Sequence, residues 1–381
     1  MVPGRFVWGC FLLTDEFGVL FSSEQKVFMM DEKKWMSVKK FADYASSVIY
    51  DDSGYELDLQ FYLTKKCNLA CPGCYMASSP KVSGDVLPTY DAEFYLKEFE
   101  KVPQFTKSVV LTGGEIFTAP IGYVEWISHQ VLDRGWGLQL KTNGSWVRDE
   151  YMHNAVPAML RRMNPGRGLI ATKEQVSKFF ENKPKWLLRL LGRDVVRQWL
   201  YKSLPTTSML SMAVSVDDKL HPEKSVQWLG DIVNIMGADK NLAKKVDLKT
   251  FTVADSRSFF EKNVINGPGC VVKDRKNDGN LVKCELNGVP VESYFGDFVD
   301  VNKISEKEKI ENFVLPALGD AKGRLVYCFY PDKTVGLDSC YLQSVGRVPY
   351  VGTDGLRKSF NKIRRDIYTR LVLDYQKAVE K

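Results

Sequence analysis

The feature that most constrains the fold is a repeated alternation of strand-like and helix-like segments over residues 57–253. Each short apolar run is followed by a segment whose apolar residues recur at helical spacing. The strand-like runs read ELDLQFYLT, SVVLTGG, GLQLKTNG, LSMAVSVDD and KVDLKTFTV, and the helical segments include DAEFYLKEFEKV, IGYVEWISHQVLDRG and PEKSVQWLGDIVNIM. Strands that are joined through helices of this length run parallel in one sheet. The alternation therefore predicts an α/β domain built on a parallel sheet.

Two other regions flank this alternation. Residues 1–55 combine RFVWGCFLL and GVLFSS, which predict a hairpin, with DEKKWMSVKKFADYASSVI, which has helical spacing. Residues 267–381 contain short strand-like runs and a terminal helical segment, LRKSFNKIRRDIYTRLVLDYQKAVEK. We therefore predict a small N-terminal unit, a central domain over residues 56–266 and an α+β C-terminal extension over residues 267–381.

A basic insert interrupts the central domain between about residues 147 and 208. It includes KPKWLLRLLGRDVVRQWLYKSL, which predicts one or two amphipathic helices with a basic face. We expect that face to be a solvated surface, and the alternatives are a cover over the site or a dock for an acidic partner. The net charge of +6 is modest for 381 residues. It permits a nucleic-acid partner without favouring one.

Composition and cysteine usage limit the cellular compartments in which the protein is expected. The chain is 44% hydrophobic, which suffices for a large core. No apolar run approaches the roughly eighteen residues of a membrane span, and no secretory signal is evident at the first residues. Three of the eight cysteines cluster tightly, which favours metal ligation in a reducing compartment over disulfides. We therefore expect a cytoplasmic protein without membrane association.

The clustered cysteines lie in KKCNLACPGCYMASSP, directly after the first strand-like run. Cys67, Cys71 and Cys74 are separated by three residues and then two. Thiolates bind zinc or iron–sulfur clusters, and open α/β sheets bind ligands at the carboxyl ends of their strands. A closed zinc site needs a fourth ligand, and the chain holds only three histidines. The loop predicts a metal centre, and a zinc-bound RNA- or protein-interaction module is the alternative to an enzyme.

This cysteine spacing and three later motifs resemble the radical S-adenosylmethionine (radical SAM) enzymes. LTGGEIF resembles the GGE stretch of that family, LKTNGS ends the next strand, and MAVSVDDKLHPEKS resembles a later strand that often reads SvD…H. The motifs occur in the family's order, each at the end of a strand-like run. The resemblance implies a partial (β/α)6 barrel.

The resemblance also implies a chemistry. In the family, three cysteines bind three irons of a [4Fe–4S] cluster, and the fourth iron binds the amino and carboxylate groups of SAM. The reduced cluster cleaves SAM, and the resulting 5′-deoxyadenosyl radical abstracts hydrogen from the substrate. Cys67, Cys71 and Cys74 are thus the implied catalytic and metal-binding residues, and the implied partner is an electron donor such as flavodoxin or ferredoxin.

Further residues are implied as contacts of SAM. Gly113, Gly114 and Glu115 would meet its methionine end. Candidates for ribose or carboxylate contacts stand at the ends of two later strands: Thr142, Asn143, Ser215 and Asp217. The family often has an aromatic residue before the third cysteine, where it packs against adenine. This chain has Gly73 there, and Tyr75 follows the cysteine as the candidate to pack near the cluster.

Four more cysteines lie beyond the central domain: Cys270, Cys284, Cys328 and Cys340. CVVKDRKNDGNLVKC resembles the start of the auxiliary-cluster extensions, called SPASM and twitch domains, of radical SAM enzymes that modify peptides and sugars. The dense Cys-x2-Cys pairs that such extensions carry are absent from residues 267–381. Four thiolates would suffice for a second [4Fe–4S] cluster. Buried free cysteines or a zinc site are the alternatives.

The N-terminal unit and the candidate auxiliary cluster favour a ribosomally made peptide as the substrate. The outcome would be epimerisation, cross-linking or another maturation step. A nucleoside, a sugar or tRNA is the alternative substrate, to which the basic insert would be suited. Epimerisation would need a hydrogen donor, and one of the four later cysteines would serve if it does not bind iron.

Overall fold

The structure is a computed structural model. It describes residues 37–50, 56–71, 74, 76–102, 106–169, 195, 199, 203, 206–216, 224–253, 256–276, 281–296, 324–337 and 346–380. The predicted N-terminal hairpin and most of the basic insert lie outside the described residues. So do four residues singled out above: Gly73, Tyr75, Asp217 and Cys340.

The described residues form eight α-helices, five of which overlap segments predicted from the sequence. They are α1 (Val38–Ile49), α2 (Thr89–Glu100), α3 (Ile121–Leu132), α4 (Met152–Arg162), α5 (Lys224–Ala238), α6 (Lys240–Lys245), α7 (Arg257–Phe260) and α8 (Phe360–Val379). Short 3-10 helices span Ile116–Thr118 and Ser145–Arg148, and a π-helical turn spans Glu261–Ile265. No helix of the described residues is both long enough and apolar enough to cross a membrane.

Most of the strands form one open sheet of 11 strands, in the order β13-β12-β11-β1-β2-β3-β6-β7-β10-β9-β8, and β4 pairs with β5 separately. The strands are β1 (Glu56–Thr64), β2 (Thr106–Gly113), β3 (Gly137–Thr142), β4 (Arg167–Leu169), β5 (Thr206–Ser208), β6 (Leu210–Ser215), β7 (Asp247–Val253), β8 (Cys270–Lys276), β9 (Leu281–Leu286), β10 (Val289–Gly296), β11 (Arg324–Phe329), β12 (Thr334–Leu337) and β13 (Val348–Pro349). From β11 to β10 every neighbouring pair is parallel, and both outer margins are antiparallel.

The two faces of the sheet have different surroundings. From β1 to β10 each parallel strand is added on the same side of the previous one, and right-handed crossovers then put the connecting helices on one face. On β1, Leu59 and Phe61 belong to the core with those helices, whereas Gln60 points to the other side. We call this other side the inner face. The predicted α/β class is confirmed, and the open sheet is consistent with a partial barrel.

The C-terminal extension joins the same sheet. Strand β10 pairs with β7, and β11 returns to pair in parallel with β1, so strands from both sides of the predicted boundary at residue 266 are neighbours. Helix α8 packs against α1, where the rings of Phe41 and Tyr375 stack with centroids 3.9 Å apart. Arg364 donates from Nε to the carbonyl of Ile49 at 2.8 Å. The division into three domains stays a prediction.

One local expectation needs correction. The segment DAEFYLKEFEKV predicts a helix with Asp91 at or near its N-cap, but α2 begins earlier, with Pro88 as its N-cap residue. Asp91 is buried in the first turn and forms an ion pair with Arg357 at 2.5 Å, while the Tyr350 hydroxyl donates to it at 3.3 Å. The side chain therefore ties α2 to the C-terminal region instead of capping the helix.

Candidate functional site

The carboxyl ends of β1, β2 and β3 bring three sequence motifs to one edge of the sheet. The cysteine loop follows β1, the GGE stretch ends β2, and the TNG stretch ends β3. These strands are parallel neighbours, so their carboxyl ends meet. Within the loop, the Cys67 amide donates to the carbonyl of Ser79 at 3.3 Å, and the Cys74 amide donates to that of Cys71 at 3.2 Å. Backbone hydrogen bonds thus fold the loop back on itself.

The two glycines of the GGE stretch pack against the backbone that leads into the cysteine loop. A Cβ atom on Gly113, whose φ is 143°, would stand 2.4 Å from the carbonyl oxygen of Thr64. One on Gly114 would stand 2.2 Å from that of Lys66. The Gly114 amide also donates to the Thr64 carbonyl at 2.8 Å. Only glycine fits these two positions, because the atoms that a Cβ would meet belong to the backbone and cannot rotate away as a side chain could.

Glu115 connects the ends of β2 and β3. Its side chain is 2% exposed. One carboxylate oxygen accepts from the Phe117 amide at 3.1 Å and from the Thr142 hydroxyl at 2.8 Å, and the other accepts from the Asn143 amide at 2.7 Å. The carboxylate therefore fixes both predicted strand-end residues. Its expected contact with the amino group of SAM stays a prediction.

Asn143 contacts the cysteine loop directly. Its Nδ2 lies 3.8 Å from the Cys67 sulfur and donates to Oδ1 of Asn68 at 2.9 Å. Asn68 in turn donates to the hydroxyl of Ser145 at 2.5 Å. The sequence predicts Asn143 as a contact of ribose or carboxylate, whereas the roles of Asn68 and Ser145 emerge from the structure. Their adjacency to Cys67 and to the TNG stretch was the available signal.

The Cys67 thiol lies in an environment that disfavours its ionised form when no cation is bound. Burial raises the pKa of Cys67 to about 11, and the negative charges of Glu115 and Cys74 act in the same direction. Two donors oppose this shift, the Leu69 amide at 3.4 Å and the side chain of Asn143. A cation bound to the sulfur would supply the missing positive charge and stabilise the thiolate.

The donor set of the loop fits an iron–sulfur cluster by its chemistry. It offers three thiols, of which Cys67 is buried and Cys71 and Cys74 are partly exposed, together with N–H donors aimed at sulfur. Within the part of the chain that the structure describes, no group of three Cys, His, Asp or Glu side chains is placed to hold a metal ion. The three thiols therefore share one loop without converging on one point.

The remaining predicted contact of SAM that the structure describes is Ser215. It ends β6, the neighbour of β3, so it lies at the same edge of the sheet as the three motifs. The side chain is half-buried, and the next residue donates its amide to the carbonyl of Phe251 at 2.9 Å.

The later cysteines occupy two separate places. Cys270 and Cys284 are hydrogen-bonded to each other on the β8–β9 hairpin, on the side of the helical layer. Burial raises the pKa of Cys284 to about 12, and Cys270 adds to that shift. Cys328 lies on β11 and packs with Tyr62 and Cys74 on the inner face.

The three later cysteines that the structure describes therefore do not all meet at one place. Cys328 and Cys284 lie on opposite faces, and their strands are separated in the sheet by six others. This arrangement does not fit a single auxiliary cluster that takes ligands from both places. The hydrogen-bonded pair on the hairpin could supply two ligands at most.

Comparisons with known proteins give only distant matches. No protein-family model and no curated protein matches the chain. Native anSMEcpe with bound AdoMet and Cp18Cys peptide is 10% identical, with a TM-score of 0.37 and coverage of 84% of this chain and 83% of that one. A histidine-tagged form of anSMEcpe with bound AdoMet is also 10% identical, with a TM-score of 0.40 and coverage of 84% and 81%. Methylornithine synthase (PylB) is 11% identical, with a TM-score of 0.31 and coverage of 77% and 71%. Similarities this low carry no argument about activity.

Proposed function

We propose that the protein is a radical SAM enzyme in which Cys67, Cys71 and Cys74 hold a [4Fe–4S] cluster. The observation that carries the proposal is the joining of three motifs at one sheet edge. Gly114 packs on the backbone before the cysteine loop, and Asn143 donates to the sulfur of Cys67. A structural zinc loop would explain the cysteines, but it would not require a GGE turn and a TNG turn in contact with them.

The bound cluster would supply the electron that cleaves SAM into methionine and a 5′-deoxyadenosyl radical, which takes a hydrogen atom from the substrate. The chain's own residues position and stabilise this centre. N–H groups of Leu69 and Asn143 donate to the Cys67 sulfur and would offset its negative charge. Glu115 holds the ends of β2 and β3 at a fixed separation.

The contacts with SAM remain part of the proposal. Gly113, Gly114 and Glu115 would meet its methionine end, and Thr142 and the half-buried Ser215 lie at the same edge of the sheet. The proposal extends to Tyr75 and Asp217 on sequence grounds alone.

The proposed substrate is a peptide, which would undergo epimerisation, cross-linking or another maturation step. A nucleoside, sugar or tRNA is the alternative. The proposed partner is a flavodoxin or ferredoxin in the cytoplasm, because the chemistry needs a one-electron donor. A second cluster is retained only as a hypothesis for the hairpin of Cys270 and Cys284, with further ligands from elsewhere.

The test is anaerobic reconstitution of the full chain with iron and sulfide. We expect about four irons per chain or more, and release of 5′-deoxyadenosine when dithionite and SAM are added. Cys71→Ala should lose this release, whereas Cys284→Ala, a matched change of a cysteine outside the loop, should keep it.

A wild-type protein that binds no iron under these conditions would refute the proposal. Zinc in stoichiometric amount in a colourless, anaerobically purified protein would favour the interaction module instead.

A further inference from the structure

A row of charged side chains crosses the inner face of the sheet. Its members occupy one register on β3, β6, β7, β10 and β9, in the order Lys141, Ala213, Lys249, Glu292 and Lys283. Residues paired in this way point to the same face. The methyl side chain of Ala213 separates Lys141 from Lys249 along the row.

Glu292 holds two lysines of this row in place. Lys249 is 4% exposed, and its Nζ lies 4.0 Å from one carboxylate oxygen of Glu292. Lys283 donates to the other oxygen, and the Tyr294 hydroxyl donates to the first at 3.0 Å. Burial acts to raise the pKa of Glu292, but the two lysines outweigh it and keep that pKa below its ordinary value. The carboxylate therefore stays ionised beside the two lysines.

An apolar cluster borders the row on the side of the strands' carboxyl ends. Phe251, Leu281 and Tyr294 pack together there with the alanine of the row. A site that combines a few placed charges with an apolar wall is the usual composition of a small-molecule or side-chain pocket.

Two buried amides lie on the same face, toward the amino ends of the strands. Gln139 precedes Lys141 by two residues on β3, and Gln60 lies in its register on β1, with Val110 of β2 between them; they are 7% and 0% exposed. The Oε1 atom of each has no hydrogen-bond partner among the residues that the structure describes. A buried acceptor without a partner destabilises the folded state, so such groups point to a ligand or an ordered water on this face.

The row also lies close to the candidate site. Lys141 precedes Asn143 by two residues, and Asn143 contacts the sulfur of Cys67. Two residues of a strand span about 7 Å. A molecule bound on the row would therefore extend toward the cysteine loop.

We propose that this part of the inner face binds the substrate and that Lys141, Lys249 and Lys283 anchor an anionic group on it, a carboxylate or a phosphate. Ammonium groups bind either anion as point charges. The amides of Gln60 and Gln139 contribute hydrogen bonds to a polar part of the same molecule. The inference rests on the proposed function for the identity of the bound molecule as a substrate, but anion binding itself requires no radical chemistry.

The test measures binding directly. The reconstituted full chain is dialysed to equilibrium against radiolabelled glutarate, as the carboxylate probe, or inorganic phosphate. We expect one of these probes to bind, and the better probe identifies the class of anion. Lys249→Met should weaken binding about tenfold or more, because it removes a buried charge at the contact. The matched control is Lys273→Met, which removes a lysine that is 53% exposed on β8 and should leave binding unchanged.

If the wild type binds neither probe, or if the two variants weaken binding equally, the inference is wrong. Should Lys249→Met fail to fold, Lys283→Gln replaces it, because Lys283 is 37% exposed and its loss is better tolerated. Release of 5′-deoxyadenosine is measured on the same preparation. Anion binding that depends on Lys249 without such release would contradict the proposed function and leave this inference standing.

Discussion

Two regions of the molecule carry cysteines that the sequence predicts as candidate metal ligands, and the fold positions them differently. At the end of β1, three cysteines share one loop that is fixed by contacts with the ends of β2 and β3. In the C-terminal extension, Cys270 and Cys284 face the helical layer, whereas Cys328 faces inward beside Cys74. Short spacing within a loop therefore predicts proximity well, but spacing across strands leaves the face of each side chain open.

The physical difference between the regions lies in what positions the thiols. The backbone that leads into the first loop is held by close contacts with Gly113 and Gly114, where an added Cβ would collide with backbone carbonyl oxygens. The later cysteines are placed by the alternation of side chains along β8, β9 and β11, so a one-residue difference reverses the face.

The largest effect is expected for Gly114→Ala. The new methyl group would meet the carbonyl oxygen of Lys66 at 2.2 Å, so the backbone before the cysteine loop must shift. We expect a loss of about 3 kcal/mol in the free energy of unfolding, since overpacking against rigid neighbours is costly. Iron content after reconstitution should fall with it. Chemical denaturation and iron analysis measure both quantities.

The matched control is Gly122→Ala, at a helical glycine where an added Cβ meets nothing within 4 Å. Alanine should stabilise α3 by about 0.5–1 kcal/mol there and leave iron content unchanged. If the two variants have the same stability and iron content, the packing of Gly114 against the backbone before the cysteine loop does not determine the arrangement of that loop.

A second effect is expected for Glu115→Gln. In the wild type the carboxylate accepts from both the Asn143 amide and the Thr142 hydroxyl. In the variant the NH2 group of glutamine would face one of these two donors. We expect a loss of about 1–3 kcal/mol in the free energy of unfolding and weaker iron loading. Glu93→Gln is the control, because Glu93 forms only an exposed ion pair with Lys97, and its stability should stay close to wild type. Equal stability of both variants would show that Glu115 does not join the strand ends.

Much of the fold could be predicted from the sequence, because periodicity encodes local structure. The run ELDLQFYLT coincides with β1 at Glu56–Thr64, and the segments for α3, α5 and α8 match to within a few residues. The position of β11 beside β1 could not be predicted, since strand pairing over such a separation leaves no local signal. The alternation of strands and helices predicts that the motifs meet at one edge of a parallel sheet. The contact of Asn68 with Asn143 could not be predicted, because it depends on how the cysteine loop packs.

A third prediction concerns the separation of the later cysteines. Cys328→Ala and Cys284→Ala each remove a buried thiol and should each cost about 1 kcal/mol. Because the two sites lie on opposite faces of the sheet with six strands between them, the losses should add in the double variant, and so should any change in iron content. If each single variant loses iron and the double variant loses no more than either of them, the cysteines share one cluster and the contrast between the regions is wrong.

The smallest effect is expected from alkaline pH, measured on the metal-free protein. Burial raises the pKa of Cys284 from 9.0 to about 12, so the folded state holds this proton more tightly than the unfolded state does. The stabilisation from the protonated thiol is complete below pH 9 and is lost as pH rises from about 9 towards 12. The wild type should therefore lose more free energy of unfolding between pH 8 and pH 10.5 than Cys284→Ala does.

Cys67, with its pKa raised to about 11, should show the same sign in the first region, so Cys67→Ala should also flatten the alkaline decline. A wild type and variants with parallel pH profiles would mean that these thiols are not held in the buried, protonated state that the structure gives them.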